Sequence, residues 1–414
     1  MNVVHLGVGG AIPVPPGDKA SGTERFIFNL TDSLGRLGCD ISVIDIASGR
    51  APEKKRRQSA ARFYEVWHPP LPGSCRVPLF ERIINYLLLM SHLTVFSLAA
   101  GFTLFRLLGR KRVDILHFHS NLPALAGILL NKLKGNRAVT IYHLYTGFPK
   151  ESLSWRKRVP ALPEFLAMKW ADHTVTISPA DRQWLISEFH LSPVKVTAIF
   201  ASAEVTEVNE YLGRQEGPVH QSRMVLGVGT ISSRKNQLSA VKAIPLVTAK
   251  NPDVKFVFAG LVAESGYYDE MNNYIKKNHL SPWVDFTGEI SREKLYRLYR
   301  DAVVFLFPTT AESQGIVVLE AMAFGLPVIA SRIGPIQDMV GRAPGSAILV
   351  DPYDVEGIAT AVNRLLGDGP LRDSMAQKGK ELARLFSHGH IAKEMLDLYN
   401  RLLRDRRQTD GIHI

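Results

Sequence analysis

The chain has 414 residues, 46% of them apolar and 21% charged, enough for two α/β domains with full cores and unlike a disordered or fibrous protein. Cys39 and Cys75 are the only cysteines, which excludes a disulfide framework and points to a reducing, cytoplasmic compartment. The net charge of +11 is concentrated: between residues 51 and 150 fifteen Lys and Arg meet only Glu53, Glu65, Glu81 and Asp114, so that window carries the whole excess.

The first residues, Met-Asn-Val-Val-His-Leu-Gly, lack a basic stretch ahead of the apolar run, so they predict a strand over Val3–Gly7 rather than a signal peptide. Gly7-Val-Gly9-Gly10 lacks the third glycine of a dinucleotide fingerprint and is not read as an NAD site. Pro15-Pro16-Gly17-Asp-Lys-Ala-Ser21-Gly22-Thr23-Glu24 then joins that strand to a helix; Gly22 permits close approach of a ligand to the backbone, and Glu24 falls in the first turn. A second strand is predicted at Ile41–Ile46, and Lys54-Lys-Arg-Arg57 follows as a basic cluster.

Ile83 to Leu108 is the most apolar run, flanked by Arg82 and Arg110-Lys111-Arg112. Its length would span a bilayer, but Asn85, Ser91, His92, Thr94, Gly101 and Arg106 interrupt it. Two helices dipping into an anionic membrane face are the favoured reading, with a spanning helix and plain core helices as alternatives. Nucleic acid is not an expected partner, because the cations border aliphatics rather than stacking aromatics.

Strands follow at Ile115–His119, Ala138–His143 and Thr174–Ser178. Alternation puts His117 and His119 on one face; without a third ligand evident they are read as a histidine pair at a strand end and not as a metal site. A polar stretch from about Glu207 to Arg223, with Pro218, separates two halves. The second half restarts with Met224-Val-Leu-Gly-Val-Gly229 and a loop, Thr230-Ile-Ser-Ser-Arg234-Lys235-Asn236, whose two cations suit an anion. Strands at Lys255–Ala259, Val284–Phe286, Val303–Phe307, Val328–Ser331 and Ala347–Val350 complete an alternation that argues doubly wound parallel sheets.

The most informative run is Thr310-Ala-Glu312-Ser-Gln-Gly315-Ile316-Val-Val-Leu-Glu320-Ala-Met-Ala-Phe-Gly325-Leu-Pro327. Ser313 is the expected cap of a helix from about Gly315 to Phe324, which Gly325 and Pro327 stop. At about 1.5 Å per residue the two carboxylates would stand roughly 12 Å apart, with helix amides between them favouring an anion. A ligand hydroxylated at both ends and anionic in the middle suits that layout, as a sugar nucleotide does.

This run resembles the E-x7-E signature of the family 4 retaining glycosyltransferases. The loop from Gly229 to Asn236 resembles the family's G-R-x3–4-K-G loop, with Thr230 at the Arg position and Asn236 at the second Gly. Ser21-Gly22-Thr23-Glu24 resembles its G-G-x-E loop, Asp114 to His119 its D-x-x-H-x-H strand, and Val139 to His143 the strand whose last His lies near the sugar. Two segments depart: Phe200-Ala-Ser-Ala-Glu204 replaces N-G-V-D, and Gly334-Pro-Ile-Gln-Asp338 replaces G-G-x-P-E. No D-x-D occurs.

The resemblance implies a GT-B fold, two Rossmann-like domains facing a cleft. Acceptor binding is expected in residues 1–210 and donor binding in 211–390, with a last helix, Ile391 to Leu403, packing back on the first domain. It implies that Glu312, His143, Lys235 and Arg234 serve the chemistry and that Gly22, Thr230, Gly315, Ile316 and Glu320 hold the donor, with Glu312 on the sugar and Glu320 on the ribose. No cofactor or metal is expected. The implied activity is transfer of a hexose from a nucleoside-diphosphate sugar to a glycan or lipid-linked acceptor. A non-catalytic membrane-attached scaffold and a GT-B sugar-nucleotide epimerase are the alternatives.

Overall fold

The computed structural model describes residues 1–7, 22–46, 59–66, 81–135, 138–145, 162–215 and 222–409. The loop before Gly22, the Lys54–Arg57 cluster and Cys75 lie outside them. The chain forms two compact units, Met1–Phe200 with Ile391–Ile414, and Ala201–His390.

The first unit runs β1 (Asn2–Leu6), α1 (Gly22–Arg36), β2 (Asp40–Ile46), β3 (Arg62–Val66), α2 (Glu81–Arg110), β4 (Ile115–Phe118), α3 (Asn121–Leu133), β5 (Val139–Leu144), α4 (Leu162–Trp170), β6 (His173–Thr176), α5 (Pro179–Phe189) and β7 (Val196–Ala198). Its seven strands are parallel, ordered β3-β2-β1-β4-β5-β6-β7. The order reverses between β1 and β4, and at such a switch point the carboxyl ends of the strands open a crevice.

Instead of two helices, Ile83–Leu108 lies in one continuous helix, α2. It contains no proline, and Gly101 faces α3, where a side chain would meet Leu130 Cδ1 at an ordinary contact distance of 3.4 Å. Phe96, Ala100, Leu104 and Leu107, spaced by three and four, enter the core where α2 packs on β2, β3 and α3. A second apolar stripe, Leu98, Phe102 and Phe105, is exposed. Among the described residues no helix is long and apolar enough to cross a membrane.

The second unit runs α6 (Val205–Gly213), β8 (Met224–Val228), α7 (Gln237–Thr248), β9 (Lys255–Ala259), α8 (Ser265–Lys277), β10 (Val284–Gly288), α9 (Arg292–Asp301), β11 (Val304–Phe307), α10 (Ile316–Ala323), β12 (Val328–Ser331), α11 (Gly334–Val340), β13 (Ala347–Val350), α12 (Val355–Gly367) and α13 (Gly369–Leu385). Its parallel sheet has the order β10-β9-β8-β11-β12-β13, so β8 and β11 flank its own switch point. The last helix, α14 (His388–Thr409), is longer than the expected Ile391–Leu403.

The two units divide at Phe200–Ala201. Segment 201–203 is stitched into the second unit: Ala201 exchanges two 2.7 Å hydrogen bonds with the buried Gln314 amide, and the Ala203 amide donates to Phe386 O at 2.8 Å.

Candidate active site

In the second unit, the loops after β8 and β11 meet because those strands are neighbours, with Val304 beside Val225. The Arg234 carbonyl accepts from the Thr310 amide at 2.9 Å and from the Thr309 and Thr310 hydroxyls at 3.1 Å each. The Arg234 guanidinium returns the contact, donating to Ala311 O at 2.9 Å and to Glu312 Oε1 at 3.0 Å. Lys235 Nζ donates to the same Oε1 and lies 4.8 Å from the centre of the Phe307 ring. Thr309 adds a weaker bond to it at 3.4 Å. One carboxylate oxygen therefore holds two cations in place. Their exposures differ: the side chains of Lys235 and Glu312 are 12% exposed, that of Arg234 51%.

Glycines make this approach possible. Gly229 has φ +147°, and a side chain there would press on Lys235 Cε at 3.3 Å. Behind it Gly260, φ +153°, leaves no room at all: a Cβ would lie 2.1 Å from Gly229 O. Asn236 has φ +54° and is buried; its amide donates to Pro308 O at 3.0 Å and Pro352 O at 2.6 Å. Asn is among the few side-chain-bearing residues that adopt the left-handed region readily, so Asn236 fulfils the backbone demand that a glycine would meet. Thr230, at the position of the family's Arg, has its carbonyl held by Gln237 Nε2 at 2.9 Å.

The cap of α10 is Gly315, φ +85°, not Ser313. A side chain at Gly315 would meet Ile336 Cδ1 of α11 at 2.6 Å. The Val318 amide closes the first turn on Gly315 O at 2.9 Å, whereas those of Ile316 and Val317 precede any helical acceptor and face outward from the helix start. Helix covers only the second half of the interval between the two glutamates, so the uniform 1.5 Å rise behind the 12 Å separation does not hold. Glu320 is oriented by the buried Tyr299, whose hydroxyl donates to Oε2 at 3.1 Å. Burial, then the Glu320 charge, pushes that phenol well above its ordinary range, so it stays a donor.

Gly22 and His143 belong to the first unit. Gly22 opens α1, and His143 sits near the end of β5 within a cluster that the sequence only half displayed. His5 of β1 pairs in register with His117 of β4. His119 follows two residues on, and β5 brings His143 onto the same face, Phe118 pairing with Tyr142. His117 Nε2 lies 3.2 Å from His143 Nδ1, and His119 Nε2 lies 2.9 Å from His5 Nδ1. The outer nitrogens meet phenols: Tyr399 OH of α14 is 2.6 Å from His117 Nδ1, and Tyr145 OH is 2.6 Å from His119 Nδ1. Tyr145 also stacks on His143 with ring centres 4.3 Å apart.

Burial lowers His5 and His143 to about 3 and holds His117 and His119 well below the ordinary imidazole range, with neighbouring histidines adding to the effect. All four are neutral at pH 7. His5 is the third imidazole that the sequence did not reveal, and nitrogens of His5, His117 and His119 lie within 4.8 Å of one another, as a metal would need. At 2.6 Å, however, the phenol contacts match O–H rather than N–H donors. That puts protons on the inner Nε2 atoms, where a metal would need lone pairs.

Residues 20–200 match the family model described as Glycosyltransferase Family 4, and residues 210–382 match Glycosyl transferases group 1. The chain belongs to glycosyltransferase family 4. An uncharacterized glycosyltransferase of Methanocaldococcus jannaschii is 27% identical over 57% of this chain and 62% of its own length; the chain thus spans under two thirds of that relative. D-inositol 3-phosphate glycosyltransferase of Corynebacterium diphtheriae is 25% identical over 93% of this chain and 91% of that protein. Sucrose-phosphate synthase of Thermosynechococcus elongatus superimposes with a TM-score of 0.71 at 21% identity, over 98% of this chain and 99% of that one. Anabaena HepE in complex with UDP-glucose gives 0.67 at 17% identity, over 97% and 100%. The fold of this family 4 chain is accordingly of the GT-B type, built from two parallel-sheet α/β units.

Proposed function

We propose that this protein is a retaining glycosyltransferase that moves a hexose-type sugar from a nucleoside-diphosphate sugar to a glycan or lipid-linked acceptor in cell-surface polysaccharide or glycolipid synthesis. The observation that carries this reading is the arrangement of Arg234, Lys235 and Glu312 at the start of α10, on the switch point of the second sheet. Two cations beside outward-facing amides form a seat for a diphosphate. Family membership supports the same assignment, as does the UDP-glucose held by the structurally similar HepE.

In this reading Arg234 and Lys235 meet the charge that grows on the diphosphate as the glycosidic bond breaks, so no metal is required of the reaction. The amides of Gly315 and Ile316 bind a phosphate oxygen. Glu312, whose Oε1 is occupied by the cations, presents Oε2 to sugar hydroxyls, and Glu320, steadied by Tyr299, accepts from the ribose. The family resemblance assigns His143 and Gly22 of the first unit to the donor as well. The departing phosphate takes the acceptor's proton on the face it leaves, which gives retention, and catalysis is chiefly positioning and electrostatics. Thermal shift with UDP-, GDP- and ADP-sugars tests the proposal, since a ligand of the folded state raises its melting temperature. One sugar nucleotide should stand out; a flat response to all of them would overturn it.

The proposed place of action is the cytoplasmic face of the membrane. Leu98, Phe102 and Phe105 of α2 stand exposed, as do Leu129 and Leu133 of α3, the helix packed beside it. Arg106 lies 5.2 Å over the Phe102 ring and Lys134 3.5 Å over Phe105. Apolar side chains topped by cations suit an anionic lipid surface. Flotation with anionic liposomes should carry the protein at low salt and release it at high salt; equal recovery with neutral liposomes would count against this face.

A further inference from the structure

The four histidines of the cluster, His5, His117, His119 and His143, form two separate hydrogen-bonded chains, each begun by a tyrosine. One runs Tyr399 OH, His117 Nδ1, His117 Nε2, His143 Nδ1; the other runs Tyr145 OH, His119 Nδ1, His119 Nε2, His5 Nδ1. Each ends on a buried Nε2, of His143 and of His5, with no hydrogen-bond partner among the described residues. A neutral imidazole has one N–H and one bare nitrogen, so the polarity of the first bond dictates every later one. If the phenol donates to Nδ1, the proton of the first histidine is on Nε2, it donates to Nδ1 of the second, and the terminal Nε2 carries hydrogen. Were the phenol to accept instead, every step would reverse and the terminal Nε2 would be bare.

Both phenol contacts, at 2.6 Å, are shorter than N–H donors usually make and ordinary for O–H donors. We propose that Tyr399, acting through His117, fixes His143 in the Nε2–H tautomer and so makes it an obligatory hydrogen-bond donor to the sugar. Tyr399 is then a positioning residue, contributed by α14 from 282 residues beyond His117. Burial reinforces the device: the imidazoles stay neutral and the Tyr399 phenol, pushed well above its ordinary range, stays protonated. This rests on the reading above that His143 meets the donor sugar; the tautomer itself does not.

The test is ¹⁵N imidazole NMR of the full-length protein labelled at histidine, together with kinetics. In the wild type His117 and His143 should carry hydrogen on Nε2; Nδ1–H in either would overturn the relay without any variant being made. Tyr399→Phe keeps the ring and removes the donor, so the tautomers of His117 and His143 should redistribute while His5 and His119 remain fixed. Tyr145→Phe should do the converse, which a general loosening of the fold would not. Turnover of Tyr399→Phe should fall, by up to the roughly 100-fold that deleting one aimed donor outright costs, because the variant redistributes the donor tautomer without removing the ring, and donor KM should be nearly unchanged. Full turnover despite a redistributed tautomer would overturn the positioning role. If the wild type binds no sugar nucleotide, the proposed function fails, whereas the spectra still decide the relay.

Discussion

Lys235 and Arg234 bond the same oxygen of Glu312, yet their surroundings assign them different weights, and replacing each by Met separates folding from chemistry. Lys235→Met keeps most of the apolar stem and deletes a charge-assisted bond in a pair only 12% exposed on either side. Such a bond is worth about 1.5–3 kcal/mol, and the ammonium over Phe307 adds about 0.5–1. Because Arg234 and Thr309 still hold Glu312, the loss should stay near 2–3 kcal/mol and below the ~3–5 kcal/mol of a stranded buried charge. For a domain of this size each kcal/mol moves the melting point by about 2–4 °C, giving a fall of roughly 4–12 °C. Arg234→Met removes a cation that is 51% exposed, and screened pairs of that kind are worth under ~1 kcal/mol, so its melting point should drop by less than about 4 °C.

Activity should not follow that order. If both cations meet the leaving diphosphate, each variant should lose ~100-fold or more in turnover, measured well below both melting points by release of the nucleoside diphosphate. Glu312→Gln supplies the complement: Lys235 then lacks its carboxylate, stability falls by about 3–5 kcal/mol, and a nucleoside diphosphate should raise the melting point of this variant more than that of the wild type by restoring an anion. Near-normal turnover in Arg234→Met or Lys235→Met would refute the assignment, and so would equal stabilisation of wild type and Glu312→Gln by the diphosphate.

Acid should unfold the first unit early. The folded pKa of His5 and of His143 is about 3, below the ordinary 6.5 of an unfolded chain. The unfolded state therefore binds more protons in between, so stability is full above pH 6.5 and is lost as pH falls towards 3. At ~1.4 kcal/mol per pH unit, each of these histidines costs about 2 kcal/mol by pH 5, and His117 and His119 act in the same direction. Equal melting points at pH 7.5 and pH 5 would contradict this. Gly260→Ala should destabilise the second unit by roughly 2–5 kcal/mol, since its Cβ meets Gly229 O and φ is +153°; an unchanged chemical denaturation midpoint would show that the β9 end has room to give.

Much of the fold was legible because apolar strands buried on both faces announce themselves. Lys255–Ala259 and Val328–Ser331 occur where the sequence placed them. The strands missed were of another kind: β3, Arg-Phe-Tyr-Glu-Val, is an edge strand with charged residues along it, and β7 is three residues long. The helix cap was misplaced for a related reason. Ser313 has the right chemistry, but the chain needs a left-handed residue at the turn into α10, and only Gly315 meets that need at φ +85° beneath Ile336. Composition suggests which residues can cap; the backbone path decides which one does.

Tertiary partners are where local patterns stop. Each loop advertised its charges, but neither motif alone states that Lys235 and Glu312, 77 residues apart, share an oxygen. The adjacency of β8 and β11 supplies that. Gln314 was passed over between two conspicuous residues, yet its buried amide fixes Ala201 and with it the border of the two units. Asn236 illustrates the same limit from the other side. Read as a letter it departs from the family's glycine; read as a backbone angle of +54° it is a substitution within one steric class. A motif is thus better stated as the conformation and charge it demands than as its residues. On that statement, the loop from Thr230 to Asn236 keeps the left-handed turn and two cations.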